Sequence, residues 1–241
     1  MKFDKKDKAE IEKREMFFKK NSFDPKFTAN NWPLFIGKVP MGVFLARYEI
    51  VKQTIQIPGH IVEFGSFNGT NLVYMTKILQ LLSPHNLKKV FGFDSFKGLT
   101  EISPEDKLSD SEKSNYKGNK ELLKEAILTY ELEDIIQLEE GYIENTLPQF
   151  LDANKHIMFS LIYIDTDLYS STKIILEKCH TRLSQGGIIV FDEGYHDRFP
   201  GEGQALQEFL EANPGMFEMG HIPFARQPML YLKNNRTYKK V

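Results

Sequence analysis

The sequence predicts an α/β protein built on one doubly wound, mostly parallel sheet. Three observations carry that prediction. Short apolar runs alternate along the chain with segments of helical apolar periodicity, the pattern of strand–helix–strand units. The apolar runs end in acids or glycines, at the strand ends where such sheets bind their ligands. The chain has 241 residues, 41% hydrophobic and 27% charged, which suits one sizeable core with extensions.

Residues 5–20 suit a charged helix, residues 21–40 are irregular in pattern, and residues 41–55 form an amphipathic helix. HIVEFG (60–65) is the first strand, and the helix after NGT runs to Leu82. KVFGFD (89–94) is the second strand. Residues 95–118 are too long and hydrophilic for ordinary core, and both a substrate lid and a disordered insertion are compatible with them. NKELLKEAILTYEL is a helix, DIIQLEEG a strand and NTLPQFLDAN a short helix. LIYID, STKIILEKCHTRL, GGIIVFDE and EGQALQEFLEAN continue the alternation. FEMGHIPF and PMLYLK, with Ala225, Arg226 and Gln227 between them, predict a closing antiparallel hairpin.

The net charge of -2 excludes a broad basic field for nucleic acid. The basic runs at Lys88-Lys89 and from Arg236 to the end suit solvated surface. A single cysteine, Cys179, excludes an internal disulfide and a multi-cysteine zinc site, and its helical setting suits a packed thiol. The first twenty residues mix both charges without the apolar centre of a signal peptide, and no apolar run reaches membrane-spanning length. The expectation is a cytoplasmic protein without a membrane or nucleic-acid partner; a homo-oligomer is left open.

The strand ends carry the chemistry. In VEFGSFNGT, Gly65 and Gly69 bracket a tight turn whose amides can approach a ligand at a helix amino terminus. The spacing is not the G-x-G-x-x-G of a pyrophosphate loop. Glu63 before it would repel a phosphate yet suits a ligand carrying an ammonium and a sulfonium. Asp94 ends the next strand, where a carboxylate can accept from two ribose hydroxyls or cap the following turn. Together these favour an adenosyl cofactor, S-adenosylmethionine ahead of NAD. Asp165 and Asp167 lie two apart at the end of LIYID, so strand alternation sends them the same way. Asp165, Asp192 and Glu193 should converge at neighbouring strand ends, where mutual repulsion calls for a hard cation: Mg²⁺ first, Ca²⁺ or Mn²⁺ as alternatives.

VEFGSFNGT, FGFDSFKGL, EGYIENTLP, YIDTDLYSSTKIILE and LSQGGIIVFDEGY, in that order, resemble the macrocin O-methyltransferase family over roughly residues 40–232. The resemblance implies a Rossmann-like class I methyltransferase domain over residues 56–241 behind an N-terminal helical extension, residues 1–55. It implies S-adenosylmethionine- and metal-dependent methylation of a hydroxyl on a small-molecule acceptor, a sugar or glycosylated natural product. Carried over position by position, Gly65, Ser66, Phe67, Asn68, Gly69 and Thr70 hold the methionine part, and Asp94 with Ser95 the ribose. Gly141 and Tyr142 lie near the adenine; Asp165, Asp192 and Glu193 bind the metal. The family's base falls on Asp167, and His196, a few residues past the metal pair, is the second candidate base. Relatives often carry Asp at position 193 and Trp-Arg at 67–68, and the lysine base of catechol-type enzymes is replaced here by Leu168. The rival readings are a metal-dependent glycosyltransferase using a nucleotide sugar through Asp165-Thr166-Asp167, and a non-enzymatic nucleoside-binding protein.

Overall fold

The computed structural model describes residues 5–236. Seven strands form one sheet: β1 (His60–Phe64), β2 (Val90–Asp94), β3 (Ile136–Glu140), β4 (Phe159–Ile164), β5 (Leu183–Phe191), β6 (Phe217–Gly220) and β7 (Leu230–Asn234). Their order is β3-β2-β1-β4-β5-β7-β6. The first five run parallel, while β7 lies antiparallel to both β5 and β6. The chain order reverses between β1 and β4, so the crevice at their carboxyl ends is where a ligand belongs.

Eight α-helices accompany the sheet: α1 (Lys5–Lys20), α2 (Pro25–Asn30), α3 (Lys38–Thr54), α4 (Thr70–Leu82), α5 (Lys120–Thr129), α6 (Ile143–Ala153), α7 (Tyr169–Cys179) and α8 (Pro200–Ala212). Strand residues of alternate parity feed two cores. Val62, Phe64, Phe93, Ile162 and Ile164 pack against α6, α7 and α8 through Phe150, Ile175 and Phe209. Ile61, Leu161, Tyr163 and Val190 pack on the opposite face with Ile50 of α3, Leu72 and Met75 of α4 and Leu123 of α5. Each such fully buried side chain contributes about 1.5–3 kcal/mol. The second face matters for function, because α3 carries a polar side chain up its edge to the strand ends.

The predicted sheet is present; the differences are local. Residues 21–40 are more ordered than their pattern suggests. Asp24 caps α2 by accepting from Phe27 N at 2.9 Å, with Pro25 at the first helical position. The hairpin is real but its connection is residues 221–229, not three residues, since Pro223 and Pro228 interrupt the ladder donors. Lys88 is not solvated surface: Nζ donates to the carbonyls of Ile57 and Gly59 and to Ser160 Oγ, and burial pulls its pKa to about 8. Arg236 is also engaged, donating to Asn234 Oδ1 and the His180 carbonyl. The rest of the expected basic tail, residues 237–241, lies outside the described residues. Cys179 is buried as expected, and burial pushes its thiol up to about 12.

Candidate active site

A cavity of about 930 Å³ opens at the carboxyl ends of β1 and β4. Its floor is a backbone contact that only glycine permits. Gly65 has φ +90°, and a Cβ there would stand 1.9 Å from the Asp165 carbonyl oxygen. The turn is tied to the next strand by Asp94, which accepts from Phe67 N at 2.7 Å and Phe96 N at 2.6 Å. Asp94 therefore caps its own turn and also faces the cavity. Each carboxylate oxygen retains a further lone pair for a ligand hydroxyl. Burial raises its pKa and the two amide bonds oppose that rise.

Of the residues expected to hold a cofactor, Gly65, Phe67, Asp94, Ser95, Gly141, Tyr142 and Asp165 line the cavity. Glu63, Ser66, Asn68, Gly69 and Thr70 do not; they build the wall behind it. Asn68 Oδ1 accepts from Asn119 N at 2.7 Å, fastening the turn to the start of α5. Glu63 is buried, with Oε1 accepting from Asn71 Nδ2 at 2.7 Å.

Burial raises the Glu63 pKa from 4.5 to about 7, against the pull of Arg47. Between those two values the folded chain keeps a proton that the unfolded chain has lost. Stability therefore falls as pH rises through that window, by up to about 3 kcal/mol, and levels off above it. Glu63→Gln should accordingly melt higher than wild type at pH 8 and equally at pH 4.5, both without ligand. Calorimetric scans that show the same offset at both pH values would contradict the burial argument.

Asp165, Asp167, Asp192, Glu193 and His196 all reach the same cavity. Asp165 and Asp167 meet there for a reason other than pleat alternation. β4 ends at Ile164, the ladder continues one residue through Asp165 N to Phe64 O, and Asp167 then turns in the left-handed region at φ 63°. Burial, then the charges of Asp192 and Asp167, hold the Asp165 carboxyl well above the usual range, with Arg47 opposing them.

Four residues outside the set expected from sequence organise these acids. Tyr163 OH donates to Asp192 Oδ1 at 2.7 Å, and Arg47 Nε donates to Tyr163 OH at 3.2 Å. Gln227 Nε2 donates to both Asp192 Oδ2 (2.5 Å) and Glu193 Oε1 (2.7 Å). Glu202, at the start of α8, accepts from the backbone N of Glu193 and Gly194 at 2.9 and 2.8 Å. His196 Nδ1 accepts from Arg198 N at 3.1 Å, so its proton rests on Nε2. In that tautomer His196 Nε2 carries a proton and finds no partner among the described residues.

The donor chemistry fits a hard divalent cation: carboxylate oxygens of Asp165, Asp192 and Glu193, with repulsion at Asp165 that a cation would relieve. The full convergence expected from sequence is absent. Among the described residues no three acids, histidines or cysteines stand together as a ready metal centre. The Gln227 amide instead bridges Asp192 and Glu193.

The segment after β2 forms one wall of the cavity through Gly98, Leu99, Thr100, Asn115 and Tyr116. A short turn of 3-10 helix at Asp110–Tyr116, capped reciprocally by Ser109 and Glu112, gives it structure. Asp106 Oδ1 accepts from Tyr169 N at 2.9 Å, and Arg198 meets Glu112 at 3.1 Å, joining the wall to the far side of the mouth.

A switch-point cavity floored by a glycine turn, with an acid at the end of β2, fits a class I S-adenosylmethionine-dependent methyltransferase. The family model for Macrocin-O-methyltransferase (TylF) matches residues 4–222, and the chain belongs to that family. Its curated relatives include 8-demethyl-8-(2,3-dimethoxy-alpha-L-rhamnosyl)-tetracenomycin-C 4'-O-methyltransferase of Streptomyces olivaceus. That protein is 26% identical over 70% of this chain and 67% of its own length. Demethyldecarbamoylnovobiocin O-methyltransferase of Streptomyces niveus is 23% identical over 62% of this chain and 60% of its own length. Among solved structures, the calicheamicin methyltransferase CalS11 superposes with a TM-score of 0.82 at 25% identity, covering 96% of this chain and 93% of that one. With the family established, the glycosyltransferase and binding-protein readings are set aside. No helix among the described residues is long and apolar enough to cross a membrane.

Proposed function

We propose that the protein transfers the methyl group of S-adenosylmethionine to a hydroxyl of a sugar, free or on a glycosylated natural product, with Mg²⁺ bound near the acceptor. The observation that carries this reading is the meeting, in one cavity, of the Gly65 turn and the acids of β4 and β5. The relatives add the acceptor class. One is named for a rhamnosyl-bearing substrate, and a structure of CalS11 is described as a TDP-rhamnose 3'-O-methyltransferase.

S-adenosylmethionine supplies the methyl group, which moves in line from sulfur to the acceptor oxygen. Positioning of that oxygen is then the main catalytic task. A cation held by Asp165, Asp192 and Glu193 would supply the charge that lowers the acceptor hydroxyl's pKa. Rotation of the Gln227 side-chain amide exchanges its nitrogen for its oxygen, turning the bridging donor into an acceptor beside the same carboxylates. Asp167 accepts the hydroxyl proton on a carboxylate oxygen. His196 Nε2–H, unpartnered among the described residues, would donate to a sugar oxygen that reaches it. Tyr116 and Leu99 line the wall on this side.

The test is methyl transfer from methyl-labelled S-adenosylmethionine to TDP-rhamnose, comparing wild type with Asp94→Ala. Wild type should give a monomethylated sugar nucleotide. The variant should need about 10- to 100-fold more S-adenosylmethionine for half-maximal rate, the cost of a charged ribose contact. An unchanged requirement would remove Asp94 from the site, and no methylated sugar would remove the acceptor class.

A further inference from the structure

The methionine end of S-adenosylmethionine carries a carboxylate as well as its ammonium and sulfonium. The side chains at the strand ends described above are acids, which repel that carboxylate. Strand register puts Glu63, Tyr163 and Val190 side by side, and Asp165 and Asp192 follow Tyr163 and Val190 by one pleat on the same face. A zwitterionic tail laid there needs a cation within this acidic edge.

Three cationic residues line the cavity: Lys8, Arg47 and Arg198. Arg198 is at the mouth, its side chain 57% exposed and paired with Glu112. Lys8 belongs to α1 and is exposed. Arg47 alone is deep, with a side chain only 11% exposed. Its head is held on one side only. Nε donates to Tyr163 OH, and the guanidinium carbon lies 5.6 Å from the centre of that ring. Nη2 stands 3.7 Å from Asp192 Oδ1, an ion pair longer than a hydrogen bond. Neither Nη group finds a hydrogen-bond acceptor among the described residues. Arg47 lines the cavity with its terminal donors unmatched by the protein, and the planar fork of those donors fits a carboxylate. Raised by Tyr163, Asp192 and Asp165 despite burial, its pKa keeps it charged.

We propose that Arg47 binds the carboxylate of the methionine end of S-adenosylmethionine. The proposal rests on the cofactor assignment above and adds a residue from α3, outside the glycine turn. Tyr163 OH accepts from Nε, which leaves the terminal nitrogens for the cofactor.

Decarboxylated S-adenosylmethionine isolates the contact, because it keeps the adenosine, sulfonium and amine and lacks only the carboxylate. Isothermal titration of both compounds should show Arg47→Met weakening S-adenosylmethionine by about 10- to 100-fold, with the decarboxylated compound unchanged or bound more tightly. Arg47→Lys, which keeps the charge and packs similarly, should lose less and show the same selectivity. It serves as the test should the methionine variant fail to fold. Equal weakening of both compounds would overturn the proposal, since Arg47 would then only balance the acids. Unchanged binding of both would overturn it as well. If wild type binds neither compound, the cofactor assignment itself fails, an outcome visible before any variant is made.

Discussion

Asp167→Asn is expected to lower turnover by about 10²–10⁴-fold, the usual contribution of a general base. The fold should not suffer. Asp167 sits at φ 63°, in the left-handed region that Asn adopts as readily as Asp. Its carboxylate adds to the negative field on both Asp165 and Glu202. Removing that charge should therefore leave Mg²⁺ binding intact or tighten it. Single-turnover methyl transfer together with a Mg²⁺ titration separates the two effects. A loss of turnover that excess Mg²⁺ restores would assign Asp167 to metal binding, and unimpaired turnover would remove Asp167 as the base.

The protein's architecture was readable because its physics is local. Apolar runs such as FSLIYI and GGIIVF can be buried on both faces only in a parallel sheet, and their acid ends mark its ligand edge. Asp94, Asp165 and Asp192 were legible for the same reason. The second set of site residues was not. Arg47 lies on a helix whose pattern gives no hint of its partner, and Tyr163 looks like one more aromatic strand residue. Gln227 approaches Asp192 only through the connection between β6 and β7. Glu202 could be recognised as an acid in the first turn of a helix, yet its backbone partners at Glu193 and Gly194 depend on where α8 begins. Long-range hydrogen bonds of this kind leave no spacing in a sequence.

Asp165 and Asp167 show how the right residues can be found through the wrong geometry. Alternation along a strand pairs them, but the strand stops before either. What brings both to the cavity is the turn after Ile164 and the positive φ of Asp167. Asp192 and Glu193 show the converse. The two acids do lie together, but held by Gln227 rather than closing on Asp165.

The largest effect of all should come from removing the metal. Methyl transfer from S-adenosylmethionine to TDP-rhamnose, measured after chelation with EDTA and again after Mg²⁺ is restored, tests the central claim most directly. The account predicts that chelation abolishes transfer and that Mg²⁺ recovers it, while calorimetric binding of S-adenosylmethionine stays largely intact throughout. Transfer at the full rate in chelated enzyme would contradict it, and would leave Asp165, Asp192 and Glu193 as acids that shape the cavity without a cation.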